Sequence, residues 1–422
     1  MVFLLLEIMI KNYILLLILV VLFVNINAQE RFNKQNFSEL YNINGVNLHP
    51  KFSVYHNSDT TSTLFYQIDN SELLYKKDKY NIDFAKASIH YEIYYNYKAK
   101  LLVDSGTFVY TDTDNFGLNN SSFGYFHLPI INDYNYLLYI EFKDINKNYF
   151  VRKLIDIDKT DINSRQNYYT KDNDQLPVLV NYLNKDDNFT IVSERNINTN
   201  IKVRIFKPNI RIPKPPMVNN TNKIEGLIAD TLYNLPMLNG ESNPLQLSDQ
   251  GFYHFYNNDK ETAGYTLYRF TNDYPYITTP MQMIMPLRYI SSSKEFKTLY
   301  NSKNKKKAVE NFWTNISGDQ KRAKNMIKLY YNRVQNSNIN FAADREGWMT
   351  DRGMIFIIYG PADVVYRNGN METWKYGNYK NDNALVFNFY KVDNPFTDNL
   401  YIMQRSEEYK PSWNKAIEVW RR

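Results

Sequence analysis

Apolar and polar side chains alternate in short stretches over most of the chain. In residues 87–97 the period is two, so Ile89 and Ile93 share one side of the stretch. Similar stretches occupy residues 51–55, 63–68, 101–111 and 136–142, and then residues 176–182, 189–193, 201–206, 252–256 and 265–270. Turns rich in Asn, Asp and Gly separate them at intervals typical of a sandwich. The pattern therefore predicts one or two Ig-like β-sandwiches.

A helical period replaces the alternation in the last third of the chain. Residues 306–316 and 319–335 place their apolar side chains three or four positions apart, which predicts two helices with one apolar face each. Ser292 and Glu295 have the spacing of a capping box, in which a hydroxyl and a carboxylate satisfy each other's backbone amides. We expect Ser412 to cap a final helix.

Strand signals return after these two helices. Residues 354–359 are apolar without interruption, which predicts a strand buried on both faces. The Asn-Gly pair at residues 368–369 is typical of a tight hairpin, with residues 371–376 as the return strand. Residues 384–390 and 400–404 are further strand candidates. The C-terminal unit is therefore predicted to be α+β, with helices first and a mainly antiparallel sheet after them.

These patterns divide the chain into four segments. They are a signal peptide over residues 1–28, a β-sandwich over residues 30–147, a second β-rich domain over residues 148–272 and an α+β domain over residues 275–422. The predicted fold class is mainly β with a C-terminal α+β domain. Residues 212–216 are rich in proline and therefore stiff and extended. They act either as a spacer or edge strand or as a segment that docks on an aromatic groove.

The N-terminal residues have the pattern of an export signal. Lys11 precedes an apolar run over residues 13–24, and Ala28 supplies a small residue at the cleavage position. The start is either Met1 or Met9. A retained membrane anchor is the alternative, but the run is short for a span of about 20 residues. We expect an exported protein, located in the periplasm or associated with the outer membrane.

Composition removes several classes of chemistry. The chain contains no cysteine, which excludes disulfides, thiolate zinc sites, cysteine nucleophiles and a lipid anchor on cysteine. The net charge of +6 is mild for 50 basic and 44 acidic residues, and the one dense basic run, residues 303–307, fits a solvated helix start. We therefore expect no nucleic-acid partner. Met281, Met283 and Met285 are interpreted as packing residues, because no histidine accompanies them.

Reactive constellations are absent from the sequence pattern as well. There is no phosphate loop, dinucleotide fingerprint or nucleophile elbow. The histidines are scattered and lack the spacing of zinc ligands. They are His49, His56, His90, His127 and His254. We predict no catalytic residue, no metal site and no cofactor.

The most compact motif of the chain is Gly347-Trp348-Met349-Thr350-Asp351, within the run of residues 344–361. It resembles the signature that names the GWxTD domain, a family of exported bacterial proteins with no established chemistry. Residues 330–334 (Tyr-Tyr-Asn-Arg-Val) and residues 312–313 (Phe-Trp) are also similar to segments of that family. The likeness covers residues 290–405 well. It implies export in a Bacteroidota-like organism and a role in the cell envelope.

One position departs from the family pattern. The family commonly shows Pro-Pro-Asp after the apolar run, whereas this chain has Pro361-Ala362-Asp363. The later aromatic segment around Trp374 is again similar to the family. The resemblance supplies no catalytic residues. The residues carried over as family signature and possible interaction residues are Gly347, Trp348, Thr350, Asp351, Arg352, Gly353, Tyr359, Gly360, Pro361 and Trp374.

The residues of the motif favour a structural role. Gly347 and Gly353 are expected to adopt backbone angles that other residues resist. Trp348 is expected to be buried, to cover one end of the sheet and to use its indole N–H as a donor. Thr350 and Asp351 are expected to accept backbone amide protons and to fix the turn.

Charged residues around the motif leave two alternatives open. Arg352 is expected to pair with Asp351, Glu346 or Asp344, which describes an ion-paired loop. The same three acids form an acid/base or metal set in the catalytic alternative, since paired carboxylates can hydrolyse glycosides. In the other alternative Trp348 anchors an exposed recognition surface.

Together these features predict an exported cell-envelope scaffold or protein-interaction protein without its own catalysis, accessory to an outer-membrane secretion or assembly system. Its partners would be other envelope proteins. The alternative is a carbohydrate- or peptidoglycan-binding protein or hydrolase, which would use exposed aromatics such as Trp348 and Trp374 and the carboxylates near the motif.

Overall fold

The structure is a computed structural model, and it describes most of the chain. The described residues are 32–41, 48–99, 101–113, 121–208, 210–219, 228–257, 263–377 and 384–421. The predicted signal peptide, residues 1–28, lies outside them. Strands account for 36% of the residues and helices for 26%, which confirms a mainly β chain whose helices lie toward the C-terminus.

Two packed antiparallel sheets form the first region. Their strands are β1 (Lys51–His56), β2 (Ser62–Asp69), β3 (Lys76–Lys77), β4 (Asp83–Tyr94), β5 (Leu102–Asp112), β6 (Ser121–Leu128), β7 (Asn135–Asp144) and β8 (Tyr149–Asp158). One sheet has the order β1-β2-β6. The other has the order β5-β4-β7-β8, with β3 paired to the start of β4. Leu64 and Ile68 from the first sheet meet Ile89 and Ile140 from the second in one core.

The alternating stretches in this region are confirmed as strands. Ile89 and Ile93 are both fully buried, as the period of two requires. Strands β6 and β8 were not predicted. Because β8 pairs with β7 over its whole length, the second sheet continues past the predicted boundary at residues 147–148 and ends at Asp158.

The second region is a single seven-stranded antiparallel sheet. Its strands are β9 (Tyr169–Lys171), β10 (Thr190–Val192), β11 (Thr199–Phe206), β12 (Thr231–Leu238), β13 (Glu241–Ser242), β14 (Gly251–Tyr256) and β15 (Tyr265–Arg269). The order is β15-β14-β11-β12-β13-β10-β9. The sheet curls until its edges meet, since Thr170 Oγ1 lies 2.9 Å from the Tyr265 hydroxyl. The predicted strand at residues 176–182 is absent; only isolated bridges occur there, at Pro177 and Tyr182.

In its described residues, the third region combines six helices with a four-stranded meander. The helices are α1 (Pro280–Ile284), α2 (Ser293–Asn301), α3 (Lys305–Ser317), α4 (Gln320–Phe341), α5 (Asp351–Tyr359) and α6 (Lys410–Trp420). The strands are β16 (Val364–Asn368), β17 (Met371–Tyr376), β18 (Leu385–Lys391) and β19 (Tyr401–Met403), each antiparallel to the next. This confirms the predicted helices at residues 306–316 and 319–335 and the predicted hairpin at residues 368–369.

The N-termini of two helices test the capping residues predicted from the sequence. The capping box is confirmed, because the Ser292 amide donates to Glu295 Oε2 at 2.7 Å and the Glu295 amide donates to Ser292 Oγ at 3.3 Å. The predicted cap at Ser412 is wrong. Helix α6 already begins at Lys410, and Pro411 occupies its first turn, where a missing N–H is tolerated.

The apolar run over residues 354–359 is helical, so the strand predicted there is wrong. It forms most of α5, and every residue from Met354 to Ile358 is buried. A helix that is apolar all round must be enclosed on all sides. Helix α5 meets this condition because α4, β19 and α6 all pack against it. A short apolar run by itself does not distinguish a buried strand from a buried helix.

The described N-terminal residues bind the third region rather than the strand that follows them. The Phe37 amide donates to the Val365 carbonyl at 2.8 Å, and Asn36 Oδ1 accepts from the Val365 amide at 3.0 Å. This segment, residues 32–41, therefore covers the free edge of β16. Phe32 at its start packs on Tyr94 of the first region, so the segment joins two regions.

Further contacts tie the three regions together. Asp156 of β8 lies 3.4 Å from Lys391 Nζ and 3.7 Å from Arg367 Nη2 in the third region. The Tyr268 hydroxyl of β15 donates to the Phe396 carbonyl at 2.6 Å. Arg405 donates to the Pro215 carbonyl at 2.9 Å, so the proline-rich segment is extended and docks on the chain's own third region.

Within the described part of the chain, no helix is both long enough and apolar enough to cross a membrane.

Replacing Phe37 with alanine should lower the free energy of unfolding by about 3–5 kcal/mol, because its ring is fully buried against the third region. Denaturant melts of the full chain measure this. The control is Phe108→Ala, since Phe108 is 43% exposed on β5 and its loss should cost about 1 kcal/mol or less. Equal losses for the two variants would contradict the docking of residues 32–41.

Candidate functional site

The signature forms a tight turn followed at once by a helix. Residues Gly347–Met349 make one 3-10 turn, and Thr350 is the N-cap of α5. Thr350 Oγ1 accepts from the Gly353 amide at 3.1 Å and donates to the Gly347 carbonyl at 2.8 Å. The predicted role of Thr350 as an acceptor of a backbone amide is confirmed. Such a cap satisfies a donor that the first turn of a helix leaves unpaired.

Glycine is required at two signature positions by lack of space. A Cβ atom at Gly347 would overlap the Ser337 carbonyl of α4, and one at Gly353 would overlap the Gly347 carbonyl. Neither glycine has a positive φ, so the predicted reason, unusual backbone angles, is wrong for both. It applies instead to Gly360, whose φ is 89° at the end of α5. The signature turn therefore lies backbone to backbone against α4.

Trp348 is buried, as predicted, with 4% of its surface exposed. Its Nε1 donates to Glu346 Oε2 at 2.7 Å, and its backbone amide donates to Asn338 Oδ1 at 3.2 Å. The Trp348 carbonyl accepts from the Tyr289 hydroxyl at 2.7 Å. These polar contacts join the turn to α4 and to the segment before α2.

Asp351 connects α5 with two distant segments. Its Oδ2 accepts from the Met403 amide of β19 at 2.9 Å, and its Oδ1 lies 2.5 Å from Arg405 Nη2. Arg405 in turn holds the proline-rich segment through Pro215. Burial raises the pKa of the Asp351 carboxyl, while Arg405 acts in the opposite direction. Both carboxylate oxygens are thus engaged inside the protein.

Arg352 does not pair with any of the three predicted acids. Its Nη1 lies 3.1 Å from Glu372 Oε1 on β17, and its Nη2 donates to the Asn399 carbonyl at 2.8 Å. The guanidinium also stacks on the Tyr401 ring, 4.0 Å from the centroid. The sequence around the turn does not predict this partner, because Glu372 lies in a strand 20 residues later.

Glu372 is the centre of a buried polar cluster and is itself 0% exposed. Its carboxylate accepts from the Tyr41 hydroxyl at 2.7 Å and from Trp374 Nε1 at 3.2 Å, and it lies 3.7 Å from Arg367 Nε. Burial alone would disfavour its charge, but Arg352 and Arg367 overcome this and lower the pKa of Glu372. Since Tyr41 belongs to residues 32–41, the cluster includes that segment.

The three acids of the catalytic alternative face different partners. Asp344 makes a two-point pair with Arg345, at 2.8 Å for both bonds. Glu346 accepts from Trp348, and Asp351 binds Arg405. The arrangement is three separate pairs and no shared site. Among the described residues, no group of three or more His, Asp or Glu side chains could hold a metal ion.

The remaining signature residues lie at the end of α5 and on β17. The Tyr359 hydroxyl is 3.2 Å from Ser412 Oγ of α6, and the Gly360 carbonyl accepts from the Tyr376 hydroxyl at 2.9 Å. Pro361 follows Gly360 directly, between α5 and β16. Trp374 is 1% exposed. With 4% of Trp348 and 1% of Trp374 exposed, neither ring presents the open face that a sugar platform requires.

The family comparison matches the third region together with the last two strands of the second region. Residues 251–422 match the family model of the GWxTD domain. The chain contains a GWxTD domain. None of the curated proteins compared with the chain matches it. The matched segment starts at β14, ahead of the predicted start at residue 275. It therefore includes β14, which pairs with β11 of the second region, and β15, which pairs with β14.

A group of Ser62, His56 and Lys159, outside the GWxTD domain, has the residue types of a nucleophilic site and was not predicted from the sequence. Ser62 Oγ lies 2.8 Å from His56 Nδ1 and 3.3 Å from Lys159 Nζ. Burial lowers the pKa of His56 to about 4 and the pKa of Lys159 to about 8. Ser62 is fully buried, however, so this hydroxyl has no contact with solvent or with a substrate. The group is a polar element of the first region.

An open cavity of about 240 Å³ lies beside the signature of the GWxTD domain. Trp348 and Met349 form one wall, and the ends of β14 and β15 form another. Its outer rim contains Ile210, which is 62% exposed. This side of the signature is therefore the one that a ligand could reach.

Replacing Gly347 with alanine should reduce the free energy of unfolding by about 3 kcal/mol or more, because the new methyl group overlaps the backbone of α4. Gly369→Ala is the matched control, since a Cβ there would meet only Tyr97 at 3.8 Å. Denaturant melts compare the two. A Gly347→Ala protein as stable as the control would refute the close approach.

Trp348→Ala should cost about 3–5 kcal/mol of stability, as for other buried large aromatic side chains. Trp348→Phe keeps most of the buried surface but loses the indole hydrogen bond to Glu346, so its cost should be clearly smaller. Chemical denaturation monitored by circular dichroism measures both. A loss under about 1 kcal/mol for the alanine variant would show that Trp348 is not part of the core.

Glu346 should make the stability of the GWxTD domain depend on pH. Burial raises its pKa above the ordinary value of 4.5, although hydrogen bonds from Trp348 and Thr271 lower it in part. A raised folded pKa means that its favourable contribution is complete below pH 4.5 and is lost as pH rises through the folded value. Stability of Glu346→Gln relative to the original chain should therefore increase from pH 4 to pH 7.5. A difference that stays constant over this interval would contradict the raised pKa.

Proposed function

We propose that the chain is an exported cell-envelope scaffold that binds other proteins and catalyses no reaction of its own. The observation that carries this proposal is the use of the signature's polar groups inside the fold. Thr350 caps a helix, Asp351 binds Met403 and Arg405, and Arg352 binds Glu372. Groups committed in this way build a rigid platform and have no capacity left for acid–base chemistry.

The contacts between the three regions support a scaffold. Residues 32–41, Asp156 and the proline-rich segment each bind the GWxTD domain from a different part of the chain. A domain held at several points by polar and apolar contacts keeps its orientation relative to its neighbours. Such a body can present surfaces at fixed distances to partner proteins.

The strand order of the first region supports an Ig-like sandwich. Sheet β1-β2-β6 packs on sheet β5-β4-β7-β8, and the two share one core. In Ig-like domains, strands of a Greek-key chain alternate between two sheets in this manner. Tyr136, near the start of β7, donates from its hydroxyl to the Ile131 carbonyl at 3.0 Å, which corresponds to the tyrosine corner of such domains. Many cell-surface binding proteins use this architecture.

A protein of this kind would work in the periplasm or at the outer membrane, as an accessory to a secretion or assembly system. Its partners would be other envelope proteins. The proposal combines the predicted export signal at residues 1–28 with the GWxTD domain at residues 251–422.

Cross-linking in intact cells followed by affinity capture of the full chain tests the proposal. Fractionation should place the protein in the envelope, and mass spectrometry should identify the same partner proteins in independent captures. Phe37→Ala serves as the folding control, because loss of partners in that variant links binding to the assembled scaffold. Cytoplasmic location, no reproducible partner, or hydrolysis of peptidoglycan by the purified chain would each overturn the proposal.

A further inference from the structure

The cavity beside the signature has the dimensions of a binding site for one apolar group. It measures about 240 Å³ and lies between the second sheet, helix α1 and the signature turn. An apolar protein cavity of about 150 Å³ is sufficient for benzene. The space therefore holds an aromatic ring or a branched aliphatic side chain together with the atoms that carry it.

The walls of this cavity are mainly apolar. Phe252 of β14 and Phe270, the residue after β15, form one side of the cavity. Met281 and Met285 contribute from the segment of α1, and Trp348 contributes from the signature. Methionine side chains adapt to the shape of a bound group, and aromatic faces provide a large contact area at low entropic cost. The two methionines were interpreted from the sequence as packing residues, and in the structure they face this opening.

Arg269 is the charged group of the cavity that has an unused donor. It is 9% exposed, and its Nη1 donates to the Ser248 carbonyl. Its Nε has no hydrogen-bond partner in the structure. A buried donor without an acceptor is costly, and a carboxylate satisfies a guanidinium at two points.

The two acids of the cavity lining are engaged with other residues. Asp344 makes its two-point pair with Arg345, and Glu346 accepts from the indole of Trp348. Burial also raises the pKa of Glu346, which reduces the negative charge that would oppose an anion. The lining thus contains one guanidinium without an acidic partner, next to an apolar space.

We propose that this cavity binds the free C-terminus of a partner polypeptide, with the last side chain, aromatic or large aliphatic, in the apolar space and the terminal carboxylate on Arg269. A C-terminal residue carries an apolar side chain and a carboxylate on the same Cα, so it matches both features of the cavity over a few ångströms. An internal residue has the side chain without the charge. The inference deepens the proposed scaffold function, on which it rests, by naming the part of the partner that is recognised.

Access to the cavity is open in the structure. Ile210 and Tyr300, which line its mouth, are 62% and 46% exposed. A peptide end can therefore enter from solvent while the rest of the peptide stays outside. The exposed position of Ile210 also provides a way to change the site without disturbing the core.

Calorimetric titration of the full mature chain with three synthetic peptides tests the proposal. The first is an acetylated hexapeptide of Gly and Ser that ends in Phe with a free carboxylate. The second is the same peptide with a C-terminal amide, and the third ends in Gly with a free carboxylate. The first peptide should bind, and each of the other two should bind at least about tenfold more weakly, because each lacks one of the two recognised features.

Two variants connect the binding to the cavity. Arg269→Gln should weaken the Phe-carboxylate peptide about tenfold or more and should leave the amide peptide unchanged. Ile210→Glu places a negative charge at the exposed mouth and should also weaken the carboxylate peptide. Ile162→Glu is its matched control, since Ile162 is 60% exposed and does not line the cavity. Circular dichroism establishes that each variant is folded.

Three results would overturn the proposal. They are no saturable binding of the Phe-carboxylate peptide up to about 1 mM, equal binding of the acid and amide peptides, and equal effects of Ile210→Glu and Ile162→Glu. A fourth result, displacement of the peptide by decanoate at lower concentration, would reject a polypeptide C-terminus in favour of a free apolar acid. If peptides fail while cellular cross-linking still recovers partners, the scaffold proposal stands and only the assignment of this cavity fails.

Discussion

The backbone of α4 and the signature turn run so close together that no side chain fits between them at Gly347. This approach fixes the position of the turn, and the turn fixes the first residue of α5. Once α5 starts at Asp351, that side chain reaches β19 and the next one reaches β17. Each residue type of the signature thus meets one geometric requirement. Gly347 leaves no Cβ against α4, and the buried Trp348 covers the turn. Thr350 caps α5, and the Asp351 carboxylate bridges to β19.

Buried charge adds a second constraint around Glu372. Removing a charged pair from water is costly, and the attraction between the partners offsets this only when further hydrogen bonds complete the geometry. Here Arg352, Tyr41 and Trp374 all contact the same carboxylate. Arg367 of β16 lies 3.7 Å from the same carboxylate, so the cluster joins α5, β16, β17 and residues 32–41. Removal of one partner would leave buried charge uncompensated, which is strongly destabilising.

Patterns in the sequence predicted the parts of the fold that depend on local chemistry. Strand β4 was predicted correctly from its alternation, and so was the capping box at Ser292 and Glu295. Neighbouring residues determine both features. Helix α5 was missed, because an unbroken apolar run has no period. The sequence nevertheless contains the residues that begin and end this helix. Thr350 is its N-cap, and Gly360-Pro361 ends it.

Other features of the structure could not be predicted from the local sequence pattern. Strand β6 has one buried residue, Leu128, so there was no apolar side to detect. Within the site, burial of Trp348 followed from its size, whereas the partner of Arg352 depends on a strand that only the folded chain brings near. Arg269 gave no signal in the sequence, since its role in the cavity arises from the residues that surround it.

The attachment of residues 32–41 to β16 and β17 also affects the order in which the chain can fold. Tyr41 and Glu372 are separated by 331 positions, so a segment made early in synthesis meets its partner only when the chain is nearly complete. Without this segment the edge of β16 would have no cover, and uncovered strand edges pair readily with other chains. Docking of residues 32–41 therefore closes a loop of 331 positions, and contacts so distant in sequence form slowly.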